Sequence, residues 1–208
     1  MTGVDPATVP RQEQPIDHLA DPVTTVSAWN LANALTMLRL VLVPFFALAL
    51  FEAGGHSRGW HIVACVIFAV ASLTDRIDGD IARKRGLITE FGKLADPIAD
   101  KALIGTALVG LSVLNELSWW FTVLILVREV GVTLLRFWVI RHGVMPASRG
   151  GKVKTLLQAV AIGLLVLPLS GGWHTGALVV MWLAVLLTLI TGVDYVFRAV
   201  SLRRKARL

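Results

Sequence analysis

The sequence predicts an all-α integral membrane protein with six transmembrane helices. The composition supports this class, because 55% of the 208 residues are hydrophobic and only 16% are charged, against about 25% charged residues in an average soluble domain. The mean hydropathy of +0.70 points the same way. An α-helix needs about 20 mostly apolar residues to cross a bilayer. Six such segments lie at about 31–53, 61–83, 93–115, 118–141, 152–170 and 174–197.

Two polar segments flank the six-helix region, which we place at 28–200. Residues 1–27 contain no apolar core followed by a cleavage site, so we expect a disordered or interfacial tail and not a secretory signal. Residues 201–208 form a basic tail. The one cysteine, Cys65, excludes an internal disulfide and is expected to be a small buried hydrophobe.

The distribution of basic residues predicts the orientation of the helices. The loops after the first, third and fifth helices contain Arg58 as their only lysine or arginine. The opposite side carries Lys84, Arg85, Lys93, Arg149, Lys152, Lys154 and the basic residues of the tail. The positive-inside rule places that side, and both termini, in the cytoplasm. The net charge of +6 then indicates contact with anionic lipid headgroups and not with nucleic acid.

Acidic residues cluster where the second and third predicted helices meet. Asp75 and Asp78 are three residues apart and Asp96 and Asp100 are four apart, so each pair shares one helical face. Because a short loop makes these helices antiparallel, the four carboxylates can converge. A divalent cation would relieve their repulsion, and hard oxygen ligands suit Mg²⁺ or Mn²⁺. Acids at membrane depth usually mark function; the alternative is that they are loop residues beside shorter helices.

The residues between the two acidic pairs fit a phosphate site. Gly79 permits close approach to the backbone, and Arg83 can clamp a phosphate. Gly92 eases close packing of helices. Pro97 predicts that the third helix starts or bends there, because proline is tolerated only in a first turn or at a kink. Asp80 points to a different face, and we expect it to be solvated at the headgroups.

The whole pattern, Asp75-x2-Asp78-Gly79-x2-Ala82-Arg83-x8-Gly92-x3-Asp96-x3-Asp100, resembles the signature of the CDP-alcohol phosphotransferases position for position. The segments 30–46, 126–136 and 150–158 are similar to those of the bacterial phosphatidylglycerophosphate synthases within that family. This resemblance implies six transmembrane helices around a polar cavity open to the cytoplasm. It also implies a homodimer in the plasma membrane of a bacterium.

The resemblance further implies the chemistry. An acceptor alcohol, sn-glycerol 3-phosphate in this subfamily, would attack the phosphorus that carries the diacylglycerol of CDP-diacylglycerol, and CMP would leave. Two divalent cations would be bound by Asp75, Asp78, Asp96 and Asp100, with Asp100 also acting as the general base. The residues implied to contact CDP-diacylglycerol are Asn33, Ala34, Leu35, Thr36, Gly79, Arg83 and Thr89. Two metals can stabilise both the attacking and the leaving oxygen.

The phosphate of glycerol 3-phosphate predicts a basic pocket beside the metals. We hypothesise that Arg128, Arg136 and Lys152 bind it, with Lys154 and Arg39 as further candidates. The alternative for the two lysines is ordinary positive-inside flanking. For Arg128 the alternative is a structural pair with an acid such as its neighbour Glu129.

Two rival functions remain open from the sequence. The same chemistry could use inositol phosphate, serine or phosphatidylglycerol as the acceptor. Outside this chemistry, six helices with inward acids could form a cation transporter. A conduction path has no evident use for Gly79, Ala82 and Arg83, so we favour the transferase.

Overall fold

The computed structural model is all-helical over the residues that it describes, 31–85, 90–139 and 149–205. Within these ranges, no side chain is described at residues 31–32, 76–85, 90–94, 96, 136–139, 149–150, 152, 198 and 202–205. The helices are α1 (Leu31–Phe51), α2 (Arg58–Arg85), α3 (Glu90–Val113), α4 (Trp119–Val139), α5 (Arg149–Val166) and α6 (Gly172–Lys205). The predicted all-helical class is confirmed, and each predicted segment corresponds to one of these helices.

Three stretches of the described chain are long and apolar enough to cross a membrane: Asn33–Gly55, Arg58–Asp75 and Gly172–Ser201. Large apolar side chains cover their outward faces; Leu48 on α1 is 67% exposed and Trp182 on α6 is 63% exposed. Apolar surface on this scale fits lipid better than water. The protein therefore has the character of a membrane protein. The count of six spans stays a prediction, because α3, α4 and α5 are not among these three stretches.

The bundle consists of two groups of three helices. Helix α1 packs on α2 and α3, and α6 packs on α4 and α5. Helix α5 joins the groups by contacting both α2 and α3. The apolar core includes residues of both groups: the rings of Phe46 and Phe68 are 5.8 Å apart in the first group, and Leu111 of α3 and Ile162 of α5 are fully buried. Polar residues occupy one end of the bundle, which is formed by the start of α1, α3 and α5 and the end of α2.

Tight turns close the opposite end of the bundle, where α1 and α3 end. Helix α1 runs into a 3-10 turn, Glu52–Gly55, in which Gly55 has a φ of +75°. Helix α3 ends at Val113 and is followed by Asn115, whose φ is +61°; the amide of Glu116 donates to the carbonyl of Leu111 at 2.9 Å. This pairing is that of a Schellman cap, which satisfies carbonyls left open at a helix end.

The turns at this end are in direct contact with each other. A Cβ atom on Gly55 would lie 2.4 Å from Cδ2 of Leu114, so a larger residue would require Leu114 to move as well as adopting a positive φ. The buried imidazole of His61 lies nearby, with Nε2 2.8 Å from the carbonyl oxygen of Gly55 and Nδ1 2.9 Å from that of Val166. This histidine therefore fastens the first turn to the end of α5.

The start of α3 differs from the sequence prediction. The helix begins at Glu90, so the prediction of a start at Pro97 is wrong. Pro97 therefore lies inside the helix, where it removes one intrahelical hydrogen bond and its ring crowds the carbonyl four residues earlier. A bend at Pro97 stays a prediction.

We expect Gly55→Ala to lower the free energy of unfolding by about 2 kcal/mol or more, because it combines left-handed strain with overpacking. Gly171 has a φ of +59° but open space around it, so Gly171→Ala should cost only the strain, about 1 kcal/mol. Gly176→Ala lies inside α6 with nothing within 4 Å, so it should raise stability slightly, because alanine is the better helix former. Unfolding midpoints in one detergent would rank the three variants. Equal midpoints for Gly55→Ala and Gly171→Ala would contradict the tight contact with Leu114.

Candidate active site

A buried polar face runs along the first half of α1. Asn33, Thr36 and Arg39 are 5%, 1% and 0% exposed and follow each other at intervals of three residues. This spacing keeps them on one side of the helix. The same side becomes apolar at the buried Phe46. Helix α1 thus contributes to the core with one half and to the polar end of the bundle with the other.

Arg39 forms an ion pair with one of the predicted metal ligands. Its Nη1 lies 2.5 Å from Oδ1 of Asp75 on α2. The arginine side chain is fully buried, whereas the aspartate side chain is 35% exposed. A buried guanidinium is stable only beside an anion. The pair therefore fixes the position of Asp75 from within the bundle and leaves part of the carboxylate accessible.

A cavity lies between α3, α4 and α5 at the same end of the molecule. Carboxylates and ammonium groups share its wall with apolar side chains. Its lining consists of Asp100, Lys101, Ile104, Leu126, Glu129, Val130, Lys154, Thr155 and Gln158. The carboxylate of Asp100 lies in the electric field of two acids, Asp75 and Glu129, and of two bases, Lys101 and Arg39. The predicted general base therefore lines a cavity and is close to charges of both signs.

An ion pair forms another part of the cavity wall. Nζ of Lys154 on α5 contacts Oε1 of Glu129 on α4. Lys154 is buried, and the side chain of Glu129 is 25% exposed. An ammonium group carries three donors, so its contact with Glu129 leaves it able to bind a further anion. Lys154 thus has the placement expected of a cation that meets a ligand in the cavity.

Arg128 makes its described contacts mainly with α6. Its Nε donates to the carbonyl of Thr188 at 3.1 Å, and its Nη2 donates to the hydroxyl of Thr191 at 2.8 Å. Nη1 lies 3.2 Å from Oε1 of Glu129, and the guanidinium lies 5.9 Å from the ring centre of Tyr195. These contacts favour the structural alternative for Arg128. Its role as a phosphate ligand stays a prediction.

For the remaining predicted site residues, the structure describes only the helix or the exposure, and no contacts. Ala34 is exposed and Leu35 half-buried on α1, and Thr89 lies outside the described residues. For six further residues the helix is given but the side chain lies outside the description. These are Asp78, Gly79 and Arg83 on α2, Asp96 on α3, Arg136 on α4 and Lys152 on α5.

The described acids have the chemistry of a divalent-cation site. Asp75 and Asp100 offer hard oxygen donors, and each lies in the electric field of the other, which a bound cation would offset. Among the described side chains there is no group of three or more potential metal ligands. Since Asp78 and Asp96 are not in that set, the fit rests on the two described acids, and the two-metal arrangement stays a prediction.

Comparison with known proteins identifies the family. The family model of the CDP-alcohol phosphatidyltransferases matches residues 29–190, from the start of α1 into the second half of α6. The chain belongs to this family. The resemblance seen in the sequence is thereby confirmed, and the acids on α2 and α3 lie inside the matched region.

Individual members of the CDP-alcohol phosphatidyltransferase family are similar over most of their length. A probable phosphatidylglycerophosphate synthase of Mycobacterium tuberculosis is 66% identical over 170 residues, which cover 82% of this chain and 81% of that protein. A CDP-diacylglycerol–glycerol-3-phosphate 3-phosphatidyltransferase of Rickettsia felis is 38% identical, covering 80% of this chain and 93% of the relative. The enzyme of the same name from Bacillus subtilis is 36% identical with the same coverage.

Sequence reasoning missed several polar residues that line the cavity or bond Arg128 beside it. Glu129 appeared only as a possible partner of Arg128, yet it also binds Lys154. Thr188 and Thr191 were not singled out, although their spacing of three within an apolar helix marks a polar spot on one face. Gln158 lies four residues after Lys154, so the two share a face, and that spacing was the available signal.

We expect Arg128→Lys to lower the free energy of unfolding by about 2 kcal/mol, since lysine cannot bond Thr188 and Thr191 together. If the role is structural, the folded variant should keep its Michaelis constant for the acceptor within about twofold. Thermal unfolding and steady-state kinetics on the same detergent preparation would measure both. A large rise in the Michaelis constant without loss of stability would instead support phosphate binding by Arg128.

Proposed function

We propose that this protein transfers the phosphatidyl group of CDP-diacylglycerol to sn-glycerol 3-phosphate, which yields phosphatidylglycerol phosphate and CMP. The observation that carries this proposal is the 66% identity, over 82% of the chain, to a probable phosphatidylglycerophosphate synthase. The two more distant relatives bear names with the same donor and acceptor. The cavity supports the proposal because it combines a carboxylate for a hydroxyl proton with a cation for a phosphate.

Two divalent cations, Mg²⁺ or Mn²⁺, are proposed to be bound by Asp75, Asp78, Asp96 and Asp100. When bound, the ions would neutralise the pyrophosphate of the donor and the charge that develops during transfer. The ion pair with Arg39 supports this assignment for Asp75, because the arginine approaches from the buried side and holds the carboxylate in place. Such supporting contacts to a ligand commonly tune metal affinity.

Asp100 is proposed to be the general base. It takes the proton from the primary hydroxyl of the acceptor as that oxygen bonds to the phosphorus carrying the diacylglycerol. The bond from this phosphorus to the CMP oxygen breaks, and CMP leaves with the electron pair. The position of Asp100 in the cavity wall supports this role, because a base must lie within hydrogen-bond reach of the proton that it removes.

The donor is proposed to bind beside α1 and the end of α2. Asn33 and Thr36 are buried polar residues on the face of α1 that also holds Arg39, which supports a polar nucleotide pocket there. The other proposed donor contacts are Ala34, Leu35, Gly79, Arg83 and Thr89. The acceptor phosphate is proposed to meet Lys154 with Lys152 and Arg136. Arg39 and Arg128 have weaker support in this role, since their described contacts serve Asp75 and α6.

The membrane arrangement is part of the same proposal. All six helices are proposed to span the plasma membrane of a bacterium, with both termini and the cavity on the cytoplasmic side. The support is the basic residues of the loops and tail at that end. The protein is proposed to work as a homodimer in the bilayer, as its family resemblance implies, and to bind no nucleic acid.

A transfer assay in detergent tests the reaction and the base together. Purified protein is given CDP-diacylglycerol, Mg²⁺ and labelled glycerol 3-phosphate, with inositol phosphate, serine and phosphatidylglycerol in parallel. We expect lipid-soluble label from glycerol 3-phosphate, and we expect Asp100→Asn to lower kcat by about 100-fold or more. Glu52→Gln, an exposed acid in the turn after α1, is the control and should keep full activity. Label from another acceptor would overturn the acceptor assignment, and label from none would overturn the transferase.

Replacing Lys154 tests the acceptor pocket. We expect Lys154→Met to raise the Michaelis constant for glycerol 3-phosphate about tenfold or more, because a charge-assisted contact with the phosphate is lost. The constant for CDP-diacylglycerol should stay the same, and Glu129 retains Arg128 as a partner in the variant. Steady-state kinetics with each substrate varied in turn would measure both constants. An unchanged acceptor constant would show that Lys154 is only a structural partner of Glu129.

A further inference from the structure

A buried side-chain amide in the cavity wall has no role in the function proposed so far. Gln158 on α5 is 4% exposed and lines the cavity together with Asp100 and Lys154. Its Oε1 is shielded from solvent and has no hydrogen-bond partner within the described part of the chain. Buried polar atoms are nearly always paired, so this oxygen needs a partner from outside the chain, either water or a ligand in the cavity.

The neighbours of Gln158 on α5 show that packing alone would favour an apolar residue. Lys154 precedes it by four residues, and Ile162 follows by four, so all three lie on one face of the helix. Ile162 is fully buried in the apolar core. An apolar side chain at 158 could continue this core, whereas an unpaired amide there costs stability. The glutamine is therefore explained better by what the cavity binds than by the fold.

Three side chains in the cavity wall can each bind a different chemical group of a ligand. Lys154 is a cation suited to a phosphate, and Asp100 is a carboxylate suited to the hydroxyl that is deprotonated. The amide of Gln158 is neutral and carries both an acceptor and donors, which match a hydroxyl that stays protonated. A phosphorylated polyol presents all three groups. In sn-glycerol 3-phosphate the neutral group is the middle hydroxyl, which lies between the attacking hydroxyl and the phosphate.

We propose that Gln158 is a specificity-determining residue that binds the hydroxyl next to the attacking one on the acceptor. This inference rests on the proposed function and narrows its acceptor to a vicinal diol phosphate. Sites built to bond a substrate hydroxyl discriminate against analogues that lack it, because the polar group of the protein is then left unpaired. The amide thus adds selectivity to a cavity in which the phosphate and the attacking hydroxyl are common to many acceptors.

The test compares two acceptors. 3-Hydroxypropyl phosphate keeps the phosphate and the attacking primary hydroxyl of glycerol 3-phosphate and lacks only the middle hydroxyl. We expect the wild type to prefer glycerol 3-phosphate by about tenfold or more in kcat/KM, the effect of one hydrogen bond to a buried group. Gln158→Met should lower kcat/KM for glycerol 3-phosphate by that factor and leave the value for the analogue unchanged. The preference should then disappear.

Thr155→Val is the matched control from the same wall. Its hydroxyl already donates to the carbonyl of Gly151 at 3.0 Å, so the variant should keep the wild-type preference. The unfolding midpoint gives a second readout. Gln158→Met should unfold at the wild-type temperature or higher, because the variant removes an unpaired buried amide. A purely structural glutamine would instead lower the midpoint and reduce activity with both acceptors equally, which would overturn the proposal.

The failure of this inference is distinct from the failure of the proposed function. Wild-type activity with glycerol 3-phosphate, combined with the same preference in Gln158→Met, would overturn the role of Gln158 and leave the transferase intact. Activity of the folded wild type with neither phosphate would overturn glycerol 3-phosphate as the acceptor, and the role of Gln158 with it.

Discussion

Charged side chains buried among apolar helices must find partners, and this constraint organises the polar end of the bundle. A guanidinium or carboxylate removed from water loses several kcal/mol of hydration, and only a well-placed counter-charge offsets that loss. Arg39 is fully buried, and its carboxylate partner Asp75 comes from the neighbouring helix. Lys154 is buried as well and contacts Glu129 across α4 and α5. Each pair therefore fixes how two helices lie against each other at this end.

The pair of Lys154 and Glu129 also belongs to a continuous set of contacts that runs from α6 to the cavity. Thr188 and Thr191 on α6 accept hydrogen bonds from Arg128, and Arg128 contacts Glu129. Glu129 in turn holds Lys154 in the cavity wall. The ammonium group is thus positioned by a network that begins on α6, whose outward face carries exposed apolar side chains. Glu129 has both Arg128 and Lys154 as partners, so replacing either one leaves it with the other. Replacing Glu129, by contrast, would remove the described partner of the buried Lys154 and should lower stability.

The sequence was sufficient to predict the helices and the family, but not most of the contacts in the site. The apolar segments are long and bounded by charged or glycine-rich turns, so their number and order followed directly. The start of α3 was predicted less closely, because the segment at about 93–115 was bounded by its apolar residues, whereas the helix begins three residues earlier, at Glu90. The pairs Arg39–Asp75 and Arg128–Thr191 join residues 36 and 63 positions apart. Spacing within a single helix cannot reveal such partners, which depend on how the helices pack.

The pairing of Asp75 with Arg39 is compatible with metal binding by Asp75. The arginine has no exposed surface, and the aspartate keeps about a third of its side chain accessible, so the two residues approach from different directions. A carboxylate that is free to rotate would lose conformational entropy on binding a cation, whereas one already fixed by an ion pair loses less. The positive charge of Arg39 also limits the repulsion between Asp75 and Asp100 before a cation arrives. The same contact can therefore stabilise the fold and preorganise the site, which is why a fully buried arginine at this position is better explained by Asp75 than by an acceptor phosphate.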